Sequence, residues 1–223
     1  MIVILDPGVG NLSSVQSGFA RAGSDTVVVA RGDEWSDLLA ARGRDICGVV
    51  LPGVGAFGDA MFQLRASGLL QVVRQVARDG MPLFGICLGM QLLFGMSEEH
   101  GTHMGLGLIP GKVVRFRVDA KVPHMGWNDL VYVADHPLLT GVRKGDFVYF
   151  VHSYHAVLQE RDHLLAAADY AGVEVPAVVA RGHVYGTQFH PEKSGPVGER
   201  ILANFVRICE AWRAQREAAQ HAE

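Results

Sequence analysis

The sequence predicts an α/β fold: a doubly wound, mostly parallel sheet with helices on both faces and an antiparallel extension. Three observations lead there. Short apolar runs alternate with longer helical stretches through the first half of the chain. Those runs are almost continuous in Val, Ile and Leu, as in strands buried on both faces. After about Gly95 the texture changes to short β-rich runs with turn residues between them.

Taken in order, Ile2-Val3-Ile4-Leu5 is a strand, residues 12–22 a helix, 26–30 a strand and 35–41 a helix around Trp35. A β-rich run at 46–51 ends at Pro52-Gly53, an amphipathic stretch spans 60–77, and 81–86 is an apolar strand leading into Cys87. The later runs at 112–116, 147–152, 164–168, 175–180 and 184–189 are expected to form hairpins and sheet extensions. Over 198–219, Ile201, Leu202, Phe205, Val206 and Ile208 supply the apolar face of a last helix whose polar end should fray. No composition break marks a linker, so residues 1–223 are expected to form a single domain, long enough to bury its own core.

A formal charge of −3 and a pI near 6.4, with no Lys/Arg cluster, give no footprint for a polyanion, so nucleic acid is not an expected partner. The opening apolar run stops at Asp6-Pro7-Gly8, too short for a signal peptide or a membrane span, which leads to the expectation of a cytoplasmic protein with no membrane partner. Cys47, Cys87 and Cys209 are odd in number and far apart, so neither a disulfide framework nor a Cys-x-x-Cys site is expected.

Cys87 stands apart from the other two. It lies in Gly85-Ile86-Cys87-Leu88-Gly89, between a predicted strand and a predicted helix over 88–94. That layout matches the nucleophile elbow of α/β hydrolases with sulfur in place of oxygen. A helix start favours the thiolate, and the amide of Leu88 is placed to meet a developing oxyanion. The alternative, a buried structural cysteine, is the reading for Cys47 and Cys209. His190-Pro191-Glu192 follows the run at 184–189 and supplies what a thiol nucleophile needs. Proline biases the residue before it toward an extended backbone, in which i and i+2 project to one side. His190 as base and Glu192 as its orienting carboxylate complete a Cys-His-acid set for acyl transfer. Pro52-Gly53-Val54-Gly55 ends a strand at the same edge of the sheet, where glycine-flanked amides serve as oxyanion or substrate donors; its bland alternative is a plain turn.

Two other readings are set aside. Gly53-Val54-Gly55-Ala56-Phe57-Gly58 matches G-x-G-x-x-G, but it falls at the third βα turn rather than the first, and Asp79 precedes the next strand instead of ending it, against a dinucleotide-binding oxidoreductase. His100 with His103 and His152 with His155 are spaced by three; on a strand i and i+3 face opposite sides, and no cysteine pair or carboxylate completes either set. No metal and no cofactor are expected.

Gly85-Ile86-Cys87-Leu88-Gly89-Met90-Gln91 and Gln188-Phe189-His190-Pro191-Glu192-Lys193-Ser194 resemble the class I glutamine amidotransferases. Within that class, Pro52-Gly53-Val54-Gly55, Pro123-His124-Met125-Gly126-Trp127-Asn128 and Phe150-Val151-His152-Ser153-Tyr154 look like the glutaminase subunits of imidazole glycerol phosphate synthases of histidine biosynthesis. The likeness runs from Asp6 to the helix at Phe205.

The resemblance implies glutamine as substrate, with Cys87 attacking its side-chain amide, His190 moving the proton and Glu192 orienting His190. It implies that Gln91 and the backbone near Gly53, Ser153 and Tyr154 hold the glutamine, and that the Gly53-Val54 peptide reorients to complete an oxyanion hole with Leu88 and Gly55 nearby. It further implies a heterodimer with a (β/α)8-barrel cyclase that uses the ammonia to form imidazole glycerol phosphate and an aminoimidazole carboxamide ribotide. Asn11, Met125, Trp127 and Lys193 would lie at the docking face; otherwise they would be a loop cap, two core residues and a solvated charge. Another ammonia-channelling synthase, such as pyridoxal phosphate synthase, is the alternative host, and a catalytically idle docking subunit the alternative role. Two departures from the family pattern stand out: Pro7, where an N–H-bearing residue is common, and a longer tail beyond Cys209.

Overall fold

Alternate residues of the first strand belong to opposite sides of the molecule: Ile2 and Ile4 pack into one apolar layer, Val3 and Leu5 into another. A strand apolar on both faces must sit in the middle of a covered sheet, and the computed structural model, which describes residues 1–6, 8 and 12–220, places it there.

The first half alternates as β1 (Ile2–Leu5), α1 (Leu12–Arg21), β2 (Thr26–Val29), α2 (Gly32–Arg42), β3 (Gly48–Gly53), α3 (Phe57–Ala66), α4 (Leu69–Arg78), β4 (Leu83–Cys87) and α5 (Leu88–Leu92). The amphipathic stretch expected over 60–77 is two helices. Gly68 interrupts it at φ +78°, a left-handed conformation that costs glycine little. α5 is also shorter than expected, because the chain turns at Leu93 and enters β5 (Phe94–Ser97).

The second half contains β6 (His103–Met104), β7 (Ile109–Arg115), β8 (His124–Val133), β9 (Phe147–His152), β10 (Tyr154–Leu158), β11 (Leu164–Tyr170), β12 (Val173–Arg181) and β13 (Val184–Thr187), then the long helix α6 (Gly195–Gln220). Among the described residues the strands form two sheets. The larger runs β2-β1-β3-β4-β13-β12-β11-β8-β9. Its pairings are parallel from β2 to β13 and antiparallel from there to β9, so the extension continues the same sheet. The smaller sheet, β10-β7-β5-β6, has no counterpart in the sequence-based expectations.

Trp35 of α2 and the apolar sides of α3 and α4 cover one face of the parallel strands together with Val3, Leu5, Val49, Leu51 and Leu83. Val15 and Phe19 of α1 and Ile201, Leu202 and Phe205 of α6 cover the other with Ile2, Ile4, Val50, Phe84 and Ile86. Phe205 stacks on Phe84 at 4.9 Å between centroids, fixing α6 against the strand that ends in Cys87. No helix among the described residues is long and apolar enough to cross a membrane.

Candidate active site

Cys87 closes β4 and opens α5 with φ +54° and ψ −111°, an unusual backbone for a residue with a side chain. Such a conformation costs on the order of 1–3 kcal/mol and persists only where its surroundings hold it. Here two glycines allow the close approach that does so. A Cβ on Gly89 would stand 1.7 Å from the carbonyl oxygen of Leu51, and one on Gly85 would stand 2.7 Å from the Gly89 carbonyl. The flanking glycines therefore let α5 lie directly on β3 and β4, with Cys87 in register with Gly53.

His190 and Glu192 meet, as the sequence suggested, but by another route. His190 is extended at φ −94°, ψ 100°, and Pro191–Lys193 then form a 3-10 turn rather than a continued strand. Nδ1 of His190 lies 2.8 Å from Oε1 of Glu192. The ring is anchored from behind: its backbone N–H donates to Tyr149 O at 3.1 Å, and Ser194 Oγ donates to its carbonyl at 2.7 Å. Burial by itself would push the His190 pKa down. Hydrogen bonds to Cys87 and Glu192, and the charges those groups carry, outweigh burial and raise it to about 9. Glu192 Oε1 accepts from a donor Nδ1–H, so Nε2 is the nitrogen left to exchange a proton with the thiol.

Gln188 Nε2 donates toward the Cys87 sulfur at 3.8 Å, and the Val151 carbonyl lies 3.9 Å from it. The thiol opens into a cavity of about 370 Å³ lined by Val54, Gly55, Leu88, Gln91, Ser153, Tyr154 and His190, among others. Gly53 is not part of that lining; it packs beneath Leu88, where a Cβ would meet the Leu88 Cβ at 3.2 Å. Beyond it the chain loosens: Val54 is 44% exposed, and Gly55 adopts φ +97° with open space where a Cβ would be. Gln91 spends both amide hydrogens on the protein, donating to Tyr154 O and Gln188 Oε1 at 3.0 Å each, so its carbonyl oxygen is what it can offer a ligand.

Glu99, which the sequence did not single out, also lines the cavity, as do Pro123, Val151 and His152, which fell within the quoted motifs without a role assigned to them. Glu99 is the one carboxylate among the described lining residues, and its Oε2 accepts the backbone N–H of Phe57 at 2.8 Å. Nothing local distinguishes it from Glu98, which pairs with Lys112 at 2.8 Å. Only the small sheet, by folding the segment after β5 over the elbow, separates their roles.

His152 and His155 correct an expectation. They do not face opposite ways, because the strand breaks at Ser153; both rings pack on Phe116, at 5.2 and 4.6 Å. Met125 and Trp127 are 57% and 56% exposed, which rules out a core role for either. They share β8, with the Trp127 ring edge-on to Tyr149 at 6.0 Å, and Lys193 is exposed nearby in sequence to the His190 turn. Asn11 and Pro7 lie outside the described residues. Cys47 and Cys209 are buried and free, away from the cavity. Cys47 is not electrostatically plain, however: a hydrogen bond from the Cys209 thiol, against burial and helped by the Met1 ammonium at 3.4 Å, lowers its pKa.

Most of the chain is similar to known proteins. The family model of class-I glutamine amidotransferases matches residues 3–209. The imidazole glycerol phosphate synthase subunit HisH of Geobacillus sp. (strain WCH70) is 50% identical over 216 residues, covering 94% of this chain and 98% of that one. Its counterpart in Halobacterium salinarum is 51% identical over 93% of both chains. A putative GMP synthase protein from Thermoplasma acidophilum shares the fold at TM-score 0.72 and 23% identity, covering 97% of this chain and 96% of that one. The chain belongs to the class-I glutamine amidotransferase family and, within it, groups with the HisH subunits of imidazole glycerol phosphate synthase.

Proposed function

We propose that this chain, working as a single cytoplasmic domain, is the glutaminase subunit of imidazole glycerol phosphate synthase and hydrolyses glutamine to glutamate and ammonia. The observation that carries the reading is the placement of Cys87 on a strained elbow, lining one cavity with a His190 whose Nδ1 lies 2.8 Å from Glu192. The Cys87 thiolate attacks the side-chain amide carbon of glutamine. His190 passes the proton from Nε2 to the departing nitrogen, the C–N bond breaks, ammonia leaves and the γ-glutamyl group stays on Cys87 as a thioester. Water, losing a proton to the same Nε2, then cleaves the thioester and returns the thiol.

Glu99 is the group with the charge to meet the α-ammonium of glutamine. No Lys or Arg is among the described lining residues, so the α-carboxylate would be met by the amides of the Ser153-Tyr154 segment. The amide of Leu88 follows the nucleophile and serves the oxyanion. Gly53 is held by its pairing with Cys87 while Gly55 is unconstrained, which favours the intervening Gly53-Val54 peptide as the part that turns to supply the second donor. Until it turns, the glutaminase would be slow.

Ammonia set free in neutral water is protonated and no longer nucleophilic, so the reaction is useful only beside the acceptor. We assign that acceptor to a (β/α)8-barrel cyclase docked on the exposed face that carries Met125 and Trp127, with the exposed Lys193 as a further contact. Glutamate release should be measured for this chain alone, with the cyclase, and with the cyclase plus its nucleotide ligand. Stepwise stimulation supports the assignment; a rate indifferent to the cyclase contradicts it.

A further inference from the structure

From the cavity wall at His152 and Tyr154 back to β8, four polar groups form a chain with only one consistent set of protons when the rings are neutral. At one end, the Tyr154 carbonyl lies 2.8 Å from His152 Nδ1, and a carbonyl can only accept, so His152 carries its hydrogen on Nδ1. His152 Nε2 is then bare and lies 3.0 Å from His124 Nδ1, which must donate to it. That leaves His124 Nε2 as an acceptor, 3.2 Å from Nδ2 of Asn128. The Asn128 amide is fixed in turn: its Nδ2 also donates to Asp169 O at 2.8 Å, and its oxygen accepts the Asp129 N–H at 2.9 Å. Every hydrogen in the chain points from β8 toward Tyr154.

We propose that His124 and His152 are positioning residues, a one-way hydrogen-bond relay that pins the Ser153-Tyr154 wall of the glutamine cavity to β8. The proposal rests on the glutaminase reading for its substrate, and on geometry for everything else. The Tyr154 carbonyl takes a second hydrogen bond from Gln91, which rides on the helix that Cys87 opens. The wall is thus set against the nucleophile on one side and against β8 on the other. β8 carries Met125 and Trp127, so the relay also ties the cavity to the strand bearing the exposed face.

Packing keeps the relay in one state. His124 is stacked between Phe150 and Tyr170, at 4.6 and 4.1 Å, and is 3% exposed; His152 is 6% exposed. Burial lowers their pKa values to about 4 and about 3, and for His152 the neighbouring His124, His155 and His190 oppose a charge as well. Both rings therefore stay neutral where the enzyme works. Protonation of either would set two donors face to face.

Two measurements test this. Nitrogen-15 spectra of histidine-labelled protein at neutral pH should show both rings neutral with the hydrogen on Nδ1, the minor tautomer of free histidine. Steady-state kinetics of the complex with the cyclase should show His124→Phe raising KM for glutamine by about tenfold, the size of one lost buried hydrogen bond, with kcat within about threefold. His124→Asn places an amide nitrogen where Nδ1 stands and should return KM to within about threefold of the wild type. An Nε2–H tautomer at either ring, a KM unmoved by His124→Phe, or an Asn variant as impaired as the Phe variant would each overturn the relay. If the wild-type complex releases no glutamate from glutamine, the glutaminase reading fails instead, and the tautomers still decide the relay.

Discussion

Nδ1 of His190 and Oε1 of Glu192 stand 2.8 Å apart with both side chains almost wholly withdrawn from water, 5% and 1% exposed. The second oxygen of Glu192 is buried with no hydrogen-bond partner among the described residues. A carboxylate so placed has His190 as the cation that offsets its charge; burial disfavours the imidazolium, and Cys87 first and Glu192 with it outweigh that burial.

Glu192→Gln removes that charge and keeps the shape. Since Glu192 is among the groups raising the His190 pKa, the alkaline limb of the glutaminase pH profile should move below about 9. The rate near neutrality should fall by roughly 10²- to 10⁴-fold. A pH-rate series on wild type and variant checks both; an unmoved limb would remove Glu192 from control of His190.

The same interaction predicts a stability change with a definite sign. The His190 pKa is raised from 6.5 unfolded to about 9 folded, so its contribution is complete below 6.5 and is lost as pH rises through about 9. Urea unfolding followed from about pH 6 to about pH 10 should show this loss in the wild type and a smaller one in Glu192→Gln, where Cys87 still raises the His190 pKa.

Gly89→Ala tests the elbow. The added methyl would sit 1.7 Å from Leu51 O, backbone against backbone, so α5 must move off β3. We expect a loss of about 1–3 kcal/mol or more, visible as a lower melting temperature, together with loss of glutaminase. An unchanged melting temperature would show that the close approach is not required.

Strands β1 to β4 of the parallel half were legible because they are short runs rich in apolar residues, as Ile2 to Leu5 illustrate, whereas β13, expected as a hairpin or extension, pairs in parallel with β4 as well. Cys87 and His190-Pro191-Glu192 were legible for a different reason: each carries its own local signature, a glycine pair in one case and an i, i+2 pair behind a proline in the other. What the sequence hid was set by long-range packing. The small sheet brings Glu99 to the cavity from a segment resembling any acidic loop. The His124–His152 pair joins two strands that meet only through their antiparallel register, His124 opposite His152. The break at Ser153 reset the alternation that had put His152 and His155 on opposite sides. Gly53 matched its motif yet lies under Leu88, because the register with Cys87 carries β3 two residues farther than the apolar run suggested.

Met125 and Trp127, more than half exposed on one strand, should matter for assembly and not for folding. Trp127→Ala is expected to leave the melting temperature within about 2 °C and to weaken cyclase binding by about 2 kcal/mol or more, measured by titration calorimetry. Undiminished binding would move the docking face elsewhere.

The most direct test of the account is Cys87→Ala, assayed in complex with the cyclase using glutamine or ammonium salt as nitrogen source. The account predicts that glutamine-dependent synthesis and glutamate release disappear while ammonia-dependent synthesis continues at the wild-type rate. Glutamate release that survives the substitution would contradict it.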